Sequence, residues 1–154
     1  MHYMAQPALI EKDEHKKIAI SLFNKVWDLM ENPDRTDEED HEMIHMAHAS
    51  CYHWGVAGQP VNLSRGEWQI SRVYTVLNRA EPALFHAKRN LEICLSNKIG
   101  DFDLAFSYEA LARAYKLAGD EENAHQYKKL ACEAAEEIAK EGDKKVVLND
   151  LASI

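Results

Sequence analysis

The sequence predicts an all-α protein with about seven helices. Strand-like alternation of apolar and polar residues is nearly absent, whereas residue patterns that begin or end helices recur along the chain. Part of the second half also matches itself at an offset of 41 residues. Because the predicted connections are short, we expect consecutive helices to pack as antiparallel neighbours in one helical domain, residues 1–154.

The composition is that of an ordinary globular protein, and it argues against some classes of partner. Hydrophobic residues make up 46% and charged residues 29% of 154, enough to form a core without metal or disulfides. A net charge of −8 argues against nucleic acid as a partner. Three cysteines without a close pair favour a reducing, cytoplasmic location. No signal-peptide pattern or membrane-spanning apolar run is present, so we expect no membrane partner.

The first two helices are predicted as an N-terminal pair over residues 7–58. The first runs from Pro7 to Met30 with an apolar stripe at helical spacing. Thr36 and Glu39 then form a capping box, in which each side chain satisfies a free amide of the first turn. The second helix should therefore start at Thr36 and reach about Trp54, after which two glycines and a proline follow.

Four further helices are predicted within residues 64–141 as two hairpins. Ser64 and Glu67 form a second capping box, which predicts the start of the third helix. Asp120 is predicted to cap the sixth helix, which should end near residue 141. Asp143 would then cap a short seventh helix within residues 143–154, which we interpret as a C-terminal capping helix.

The offset of 41 residues aligns the third and fourth helices with the fifth and sixth. Without a gap, the alignment pairs Ser71-Arg72-Val73-Tyr74 with Ala112-Arg113-Ala114-Tyr115, Glu81 with Glu122, Ala83 with Ala124 and Lys88 with Lys129. The break between helices falls in step, with Asn78 over Gly119. Both residue types tolerate the left-handed backbone that ends helices, so the alignment predicts two equivalent hairpins.

This repeat resembles the tetratricopeptide repeat over residues 67–141. The second copy carries its large and small signature residues at Tyr108, Ala112, Tyr115, Gly119, Ala124 and Ala131. The period of 41 exceeds the usual ~34, which implies longer helices, and Asn90 replaces a small residue in the first copy. The chain resembles uncharacterised bacterial proteins of tetratricopeptide-like fold, which implies helical hairpins stacked into an α-α superhelix.

The resemblance implies that the first helix of each hairpin lines a concave groove. The groove residues would be Trp68, Arg72, Thr75, Phe106, Glu109, Arg113 and Lys116. The two equivalent arginines present planar forks suited to carboxylate or phosphate. We therefore expect a non-enzymatic binding or scaffolding module that takes a peptide or protein segment, such as a carboxylate-bearing one, or a small anionic ligand. The alternative is that glutamates neutralise both arginines in a structural ion-pair network.

A histidine stripe on the second helix supports a different hypothesis. His41, His45 and His48 fall on one face of the helix, and imidazoles one turn apart can share a metal ion. The alternative function is therefore a metal-binding protein or a metal-assisted enzyme. The HExxH pattern is absent and further ligands would be needed, so we favour a solvated polar face and expect no cofactor. No catalytic residue is assigned, and self-association into a homo-oligomer remains open.

Overall fold

The computed structural model describes residues 3–154 and contains seven α-helices and no strand in that range. The helices are α1 (Lys12–Glu31), α2 (Asp37–Ala57), α3 (Pro60–Val76), α4 (Ala80–Ser96), α5 (Asp101–Leu117), α6 (Glu121–Glu136) and α7 (Glu141–Leu151). Each helix packs against the next one along the chain. The predicted all-α fold of adjacent helical pairs is therefore confirmed.

The helices are arranged in two rows. Besides the neighbours in sequence, α1 contacts α3, α3 contacts α5, and α5 contacts α7. Within residues 3–154, no two of the even-numbered helices contact each other in this way. The odd-numbered helices therefore form a closely spaced inner row, and α2, α4 and α6 form a more widely spaced outer row. This difference in spacing curves the array, with the inner row on its concave side.

The spacing of the helices agrees with the internal repeat. Both ends of α5 lie 41 residues after the corresponding ends of α3, and the same offset separates the first residues of α4 and α6. Asn78 has a φ of 58° and Gly119 a φ of 81°, so the aligned helix breaks share the left-handed backbone predicted for them. The described residues are thus compatible with a helical repeat in which this turn recurs.

Of the two helix starts predicted in the N-terminal half, one is confirmed and the other is wrong. The capping box is confirmed, since Thr36 Oγ1 accepts from the Glu39 amide at 3.2 Å and Glu39 Oε1 accepts from the Thr36 amide at 3.1 Å. The prediction that α1 starts at Pro7 was wrong, because α1 begins at Lys12. Residues 3–11 contact no neighbouring helix closely enough to bury their apolar side chains, and a short helix without such packing is marginal in water.

The predicted start of α3 at Ser64 was also wrong. The helix begins at Pro60, whose fixed φ suits a first helical position, and Asn62 Oδ1 accepts from the Gln59 amide at 2.9 Å. Ser64 therefore lies inside α3, where it is buried and its hydroxyl donates to Asn90. A local capping pattern was overridden by a proline four residues earlier.

The junction between α6 and α7 also differs from the prediction. Helix α6 ends at Glu136 rather than near residue 141, because Ile138 turns into the apolar core and the Ala139 amide donates to Asp101 Oδ1 at 3.2 Å. Helix α7 is preceded by Lys140, so Asp143 lies in its first turn rather than at its cap. The predicted cap of α6 is confirmed, since Asp120 accepts from the Asn123 amide at 3.1 Å.

Small residues let the helices approach closely. Between α3, α4 and α5 the core contains Ala83, Ala87, Ala110 and Ala114, all buried. Between α2 and α3, Gly66 lies against Cys51, so closely that an added Cβ would be 2.9 Å from the cysteine sulfur and 3.2 Å from its Cα. Packing of this kind fixes the helix spacing. None of the helices in residues 3–154 has the length and apolarity needed to cross a bilayer.

We predict that Gly66→Ala destabilises the protein although alanine favours helices. The substitution gains roughly 1 kcal/mol of helix propensity, but the contact with the Cys51 backbone overpacks the interface at a cost of roughly 1–3 kcal/mol. Gly142→Ala is the matched control, because its new methyl group meets no atom within 4 Å. Chemical denaturation should show a net loss for Gly66→Ala and no loss for Gly142→Ala. Equal stabilisation of both variants would contradict the close packing of α2 and α3.

Candidate functional site

The inner row of helices lines an open cavity of about 580 Å³. Helices α1, α3, α5 and α7 all contribute to its wall, together with Asn90 of α4. The lining residues are Phe23, Trp27, Ser64, Arg65, Trp68, Asn90, Asp101, Phe102, Asp103, Phe106, Asp143, Val146 and Asp150. This set combines aromatic rings with carboxylates, and it is the candidate functional site. We call it the inner cavity.

Five aromatic rings form a continuous floor in the inner cavity. The floor consists of Phe23, Trp27, Trp68, Phe102 and Phe106. Trp27 stacks on Trp68 with ring centroids 5.6 Å apart, and Trp68 meets Phe106 edge to face at 5.4 Å. Phe102 and Phe106 lie one helical turn apart in α5, as do Phe23 and Trp27 in α1. Helical spacing therefore places each pair on the face that its helix turns toward the cavity.

Four aspartates lie around the aromatic floor, and they differ in how far they are already paired. Asp103 forms a two-point ion pair with Arg65, at 2.8 and 3.0 Å, and Asp101 accepts from the Ala139 amide. Asp143 has no hydrogen-bond or ion-pair partner within residues 3–154, and the Asp150 carboxylate only approaches Arg72 at 3.9 Å. The two aspartates of α7 therefore keep most of their capacity to accept hydrogen bonds or pair with a cation.

A buried polar pair lies in the wall of the inner cavity beside the floor. The Ser64 hydroxyl donates to Asn90 Oδ1 at 2.7 Å, and both side chains are almost fully buried. The Asn90 Nδ2 group is buried and has no acceptor among the residues that the structure describes. An unpaired buried donor of this kind costs about 1–3 kcal/mol. A ligand that brings a carbonyl oxygen to this point would remove that cost.

Glu109 is completely buried and receives hydrogen bonds from three side chains next to the inner cavity. Its Oε1 accepts from Arg72 Nη1 at 3.0 Å and from Arg113 Nε at 2.8 Å, and its Oε2 accepts from Trp68 Nε1 at 3.1 Å. Burial lowers the pKa of Arg72, and the charge of Glu109 acts in the opposite direction. We call Glu109, Arg72, Arg113 and Trp68 the Glu109 network.

The Glu109 network also holds the C-terminal turn. Arg113 Nη2 donates to the backbone oxygen of Asp150 at 3.0 Å and to Ser153 Oγ at 2.9 Å. Arg113 thereby satisfies donors on both sides of its guanidinium group, one side within α5 and the other on α7. The network thus joins α3, α5 and α7; Arg113 is bonded at Nε and Nη2, and Arg72 at Nη1.

The groove residues predicted from the sequence fall into three places. Trp68 and Phe106 line the inner cavity. A separate hollow of about 360 Å³ is lined by Arg72, Thr75, Arg113 and Lys116 with Ser153 and Ile154. Lys116 there pairs with Glu121 at 3.0 Å. Glu109 is inaccessible beneath both surfaces.

Sequence reasoning missed the residues that α1 and α7 bring to the inner cavity. Phe23 and Trp27 have the four-residue spacing of a shared helix face, and both belong to the apolar stripe from which the first helix is predicted. Asp143 and Val146 lie on α7, which was expected to act as a cap. No local pattern shows that α7 returns to the inner row, because that position depends on how α5 and α6 pack.

The histidine stripe lies on the other side of the array. His41 and His45 are exposed, whereas His48 Nε2 is 2.8 Å from the Tyr74 hydroxyl and its ring lies against His86. Between residues 3 and 154, no three side chains of the histidine, cysteine, aspartate or glutamate type are placed to hold one metal ion.

Glu67 accepts from His86 Nδ1 at 2.6 Å and does not pair with Arg72.

Comparison with known proteins gives no family for this chain. No protein-family model, curated protein or solved structure matches it. The assignment of a candidate site therefore rests on the geometry of the inner cavity.

Cys51 does not line the inner cavity, and burial raises the pKa of its thiol to about 12, which keeps it protonated at neutral pH.

We predict that Glu109→Gln lowers the free energy of unfolding by roughly 3–5 kcal/mol, because it leaves Arg113 without a carboxylate partner and Arg72 with only the more distant Asp150. Glu121→Gln is the matched control, since its pair with Lys116 is more than half exposed and contributes less than about 0.5 kcal/mol. Urea denaturation of the two variants checks this. Similar small losses in both would mean that the Glu109 network is not structural.

We also predict that His48 makes the fold less stable in acid. Burial, followed by the nearby His86, lowers the pKa of His48 below 6.5, so the unfolded chain binds the proton more readily than the folded chain. The stabilisation is therefore complete above pH 6.5 and is lost as the pH falls through the lowered value. As the pH is lowered through this range, the melting midpoint should decrease less steeply for His48→Gln than for the wild type. The exposed variant His41→Gln should keep the wild-type slope.

Proposed function

We propose that this protein is a tetratricopeptide-like binding module whose inner cavity takes a peptide or a segment of a partner protein. The observation that carries this proposal is the inner cavity itself, since all four helices of the inner row contribute to one concave, aromatic-floored site. Its volume of about 580 Å³ lies within the range of protein ligand sites, roughly 300–1,000 Å³. Stacked helical hairpins commonly use their concave face in this way.

The lining of the inner cavity favours binding over chemistry. Aromatic rings give a large apolar contact area, and a few polar groups at the edge can fix the orientation of a ligand. The arginines that supported an anionic ligand in the sequence are held by Glu109 and by the C-terminal turn. They therefore support a structural role better than a recognition role, and the proposed site moves toward Trp68 and Phe106.

We predict that Val146→Phe blocks binding at the inner cavity without unfolding the protein. Val146 lines the cavity but is 50% exposed, so a larger side chain there can enter the cavity without displacing the core. Peptides selected by the wild-type protein from a random 12-residue display library should bind this variant at least about tenfold more weakly, the loss expected when a well-packed contact is removed. Fluorescence polarisation of the labelled peptides measures the change.

The matched control is Val56→Phe, which adds the same bulk to an exposed valine at the end of α2, outside the cavity lining. It should bind the selected peptides as the wild type does, and both variants should keep the wild-type melting midpoint. Failure to select any peptide, or equal binding to wild type and Val146→Phe, would overturn the proposed function.

A further inference from the structure

We infer that the inner cavity recognises a basic side chain, lysine or arginine, within an otherwise apolar stretch of the partner peptide. This inference rests on the proposed function and specifies the chemistry of the ligand. The inferred partner carries a positive charge, whereas the sequence predicted a negative one. The difference arises because the groups without a bonded partner at the site are carboxylates and not guanidinium groups. Three separate features of the cavity support it.

The first feature is the unbalanced charge at the cavity edge. Four aspartates line the cavity and only one arginine, Arg65, which is already engaged by Asp103 through two hydrogen bonds. Asp143 is unpaired among the described residues, and the nearest cation to Asp150 is 3.9 Å away. Asp143 and Asp150 lie about two helical turns apart on α7, so a ligand cation at this edge would meet a carboxylate that has no hydrogen-bonded cation at either position. A net charge of −8 would also attract basic segments from a distance.

The second feature is the aromatic floor, which already accommodates guanidinium groups of the chain itself. Arg65 Cζ lies 5.8 Å from the centre of the Phe102 ring, and Arg72 Cζ lies 6.0 Å from that of Trp68. Cations are attracted to the faces of such rings, with tryptophan the strongest. The alkyl stem of lysine or arginine can also pack on the rings while its charged end reaches the carboxylates. The floor and the edge therefore suit the two ends of one basic side chain.

The third feature distinguishes a peptide from a free organic cation. Asn90 lines the same cavity, and its buried Nδ2 group lacks an acceptor among residues 3–154. A peptide supplies backbone carbonyl oxygens next to its side chains, so one ligand can satisfy the amide donor and the α7 carboxylates together. A small alkylammonium ion offers no such acceptor, and we expect it to bind more weakly than a peptide.

The experiment uses four synthetic peptides that differ only at the central position of an uncharged apolar sequence. The central residue is lysine, arginine, norleucine or glutamate, and binding is followed by the fluorescence of the cavity tryptophans, Trp27 and Trp68, on the full chain. We expect the lysine or arginine peptide to bind about tenfold more tightly than the norleucine peptide, and the glutamate peptide to bind most weakly. The preference should shrink as salt is added.

Variants of the free carboxylate test the assignment to α7. Asp143→Asn should remove most of the preference for the basic peptides, and Asp143→Lys should shift the preference toward the glutamate peptide. The matched control is Asp28→Asn, which removes the same charge from an exposed residue of α1 that does not line the cavity. It should leave the preference unchanged. Asp143 has no ion-pair or hydrogen-bond partner among residues 3–154 and Asp28 is exposed, so both asparagine variants should melt near the wild-type midpoint. Asp143→Lys should melt slightly lower, because it places a positive charge in the first turn of α7.

Four outcomes would overturn the inference, and they separate it from the proposed function. Equal binding of the four peptides, each weakened by Val146→Phe, would refute a basic ligand but keep the cavity as a peptide site. Preference for the glutamate peptide in the wild type would do the same. If no peptide bound and the protein instead self-associated through residues 3–11 in a manner blocked by Val146→Phe, the occupant would be a second copy. Binding of none, without self-association, would refute the site itself.

Discussion

The buried carboxylate of Glu109 is the interaction on which the arrangement of the inner row depends. A charge without exposure to solvent is tolerated only when it is paired and fully hydrogen-bonded, and Glu109 achieves this through Arg72, Arg113 and Trp68. These partners come from α3 and α5, and Arg113 continues to α7. One residue therefore fixes the relative positions of three helices, and those positions define both the inner cavity and the hollow beside it.

This arrangement separates the charges that support the fold from those available to a ligand. The uncharged Trp68 links the two groups, since its indole nitrogen donates to Glu109 while its ring forms the middle of the aromatic floor. The Glu109 network thus orients the floor, and its Arg72 covers part of it, with Cζ 6.0 Å from the centre of the Trp68 ring. Asp143, by contrast, contacts no charged group among the described residues, although its place in the first turn of α7 is favourable to the helix dipole. Its carboxylate is therefore free to serve recognition.

Features that depend on residues close together in the sequence could be predicted, whereas features that depend on packing between distant helices could not. The capping box at Thr36 and the left-handed turns at Asn78 and Gly119 involve residues close in sequence, and these predictions were correct. Ser64 carried an equally good local signal but lies inside α3, because Pro60 starts the helix earlier. Two alternative partners of Arg113 were predicted from the sequence, a nearby glutamate and a ligand. Choosing between them required the position of α7, which follows from packing over the whole second half of the chain.

A binding site in which the unpaired charges are of one sign has a consequence for energetics. The α7 carboxylates in the cavity have no hydrogen-bonded cation, whereas the buried arginines and Glu109 remain paired whether or not a ligand is present. A bound cation would stabilise the folded chain, since it would bind the folded state and not the unfolded one. The same reasoning disfavours an anion at this site, which would add to the repulsion at the edge and find both nearby arginines already bonded. In the proposed site, selectivity for a cation would follow from the pairing of Arg72 and Arg113 with Glu109 and of Arg65 with Asp103.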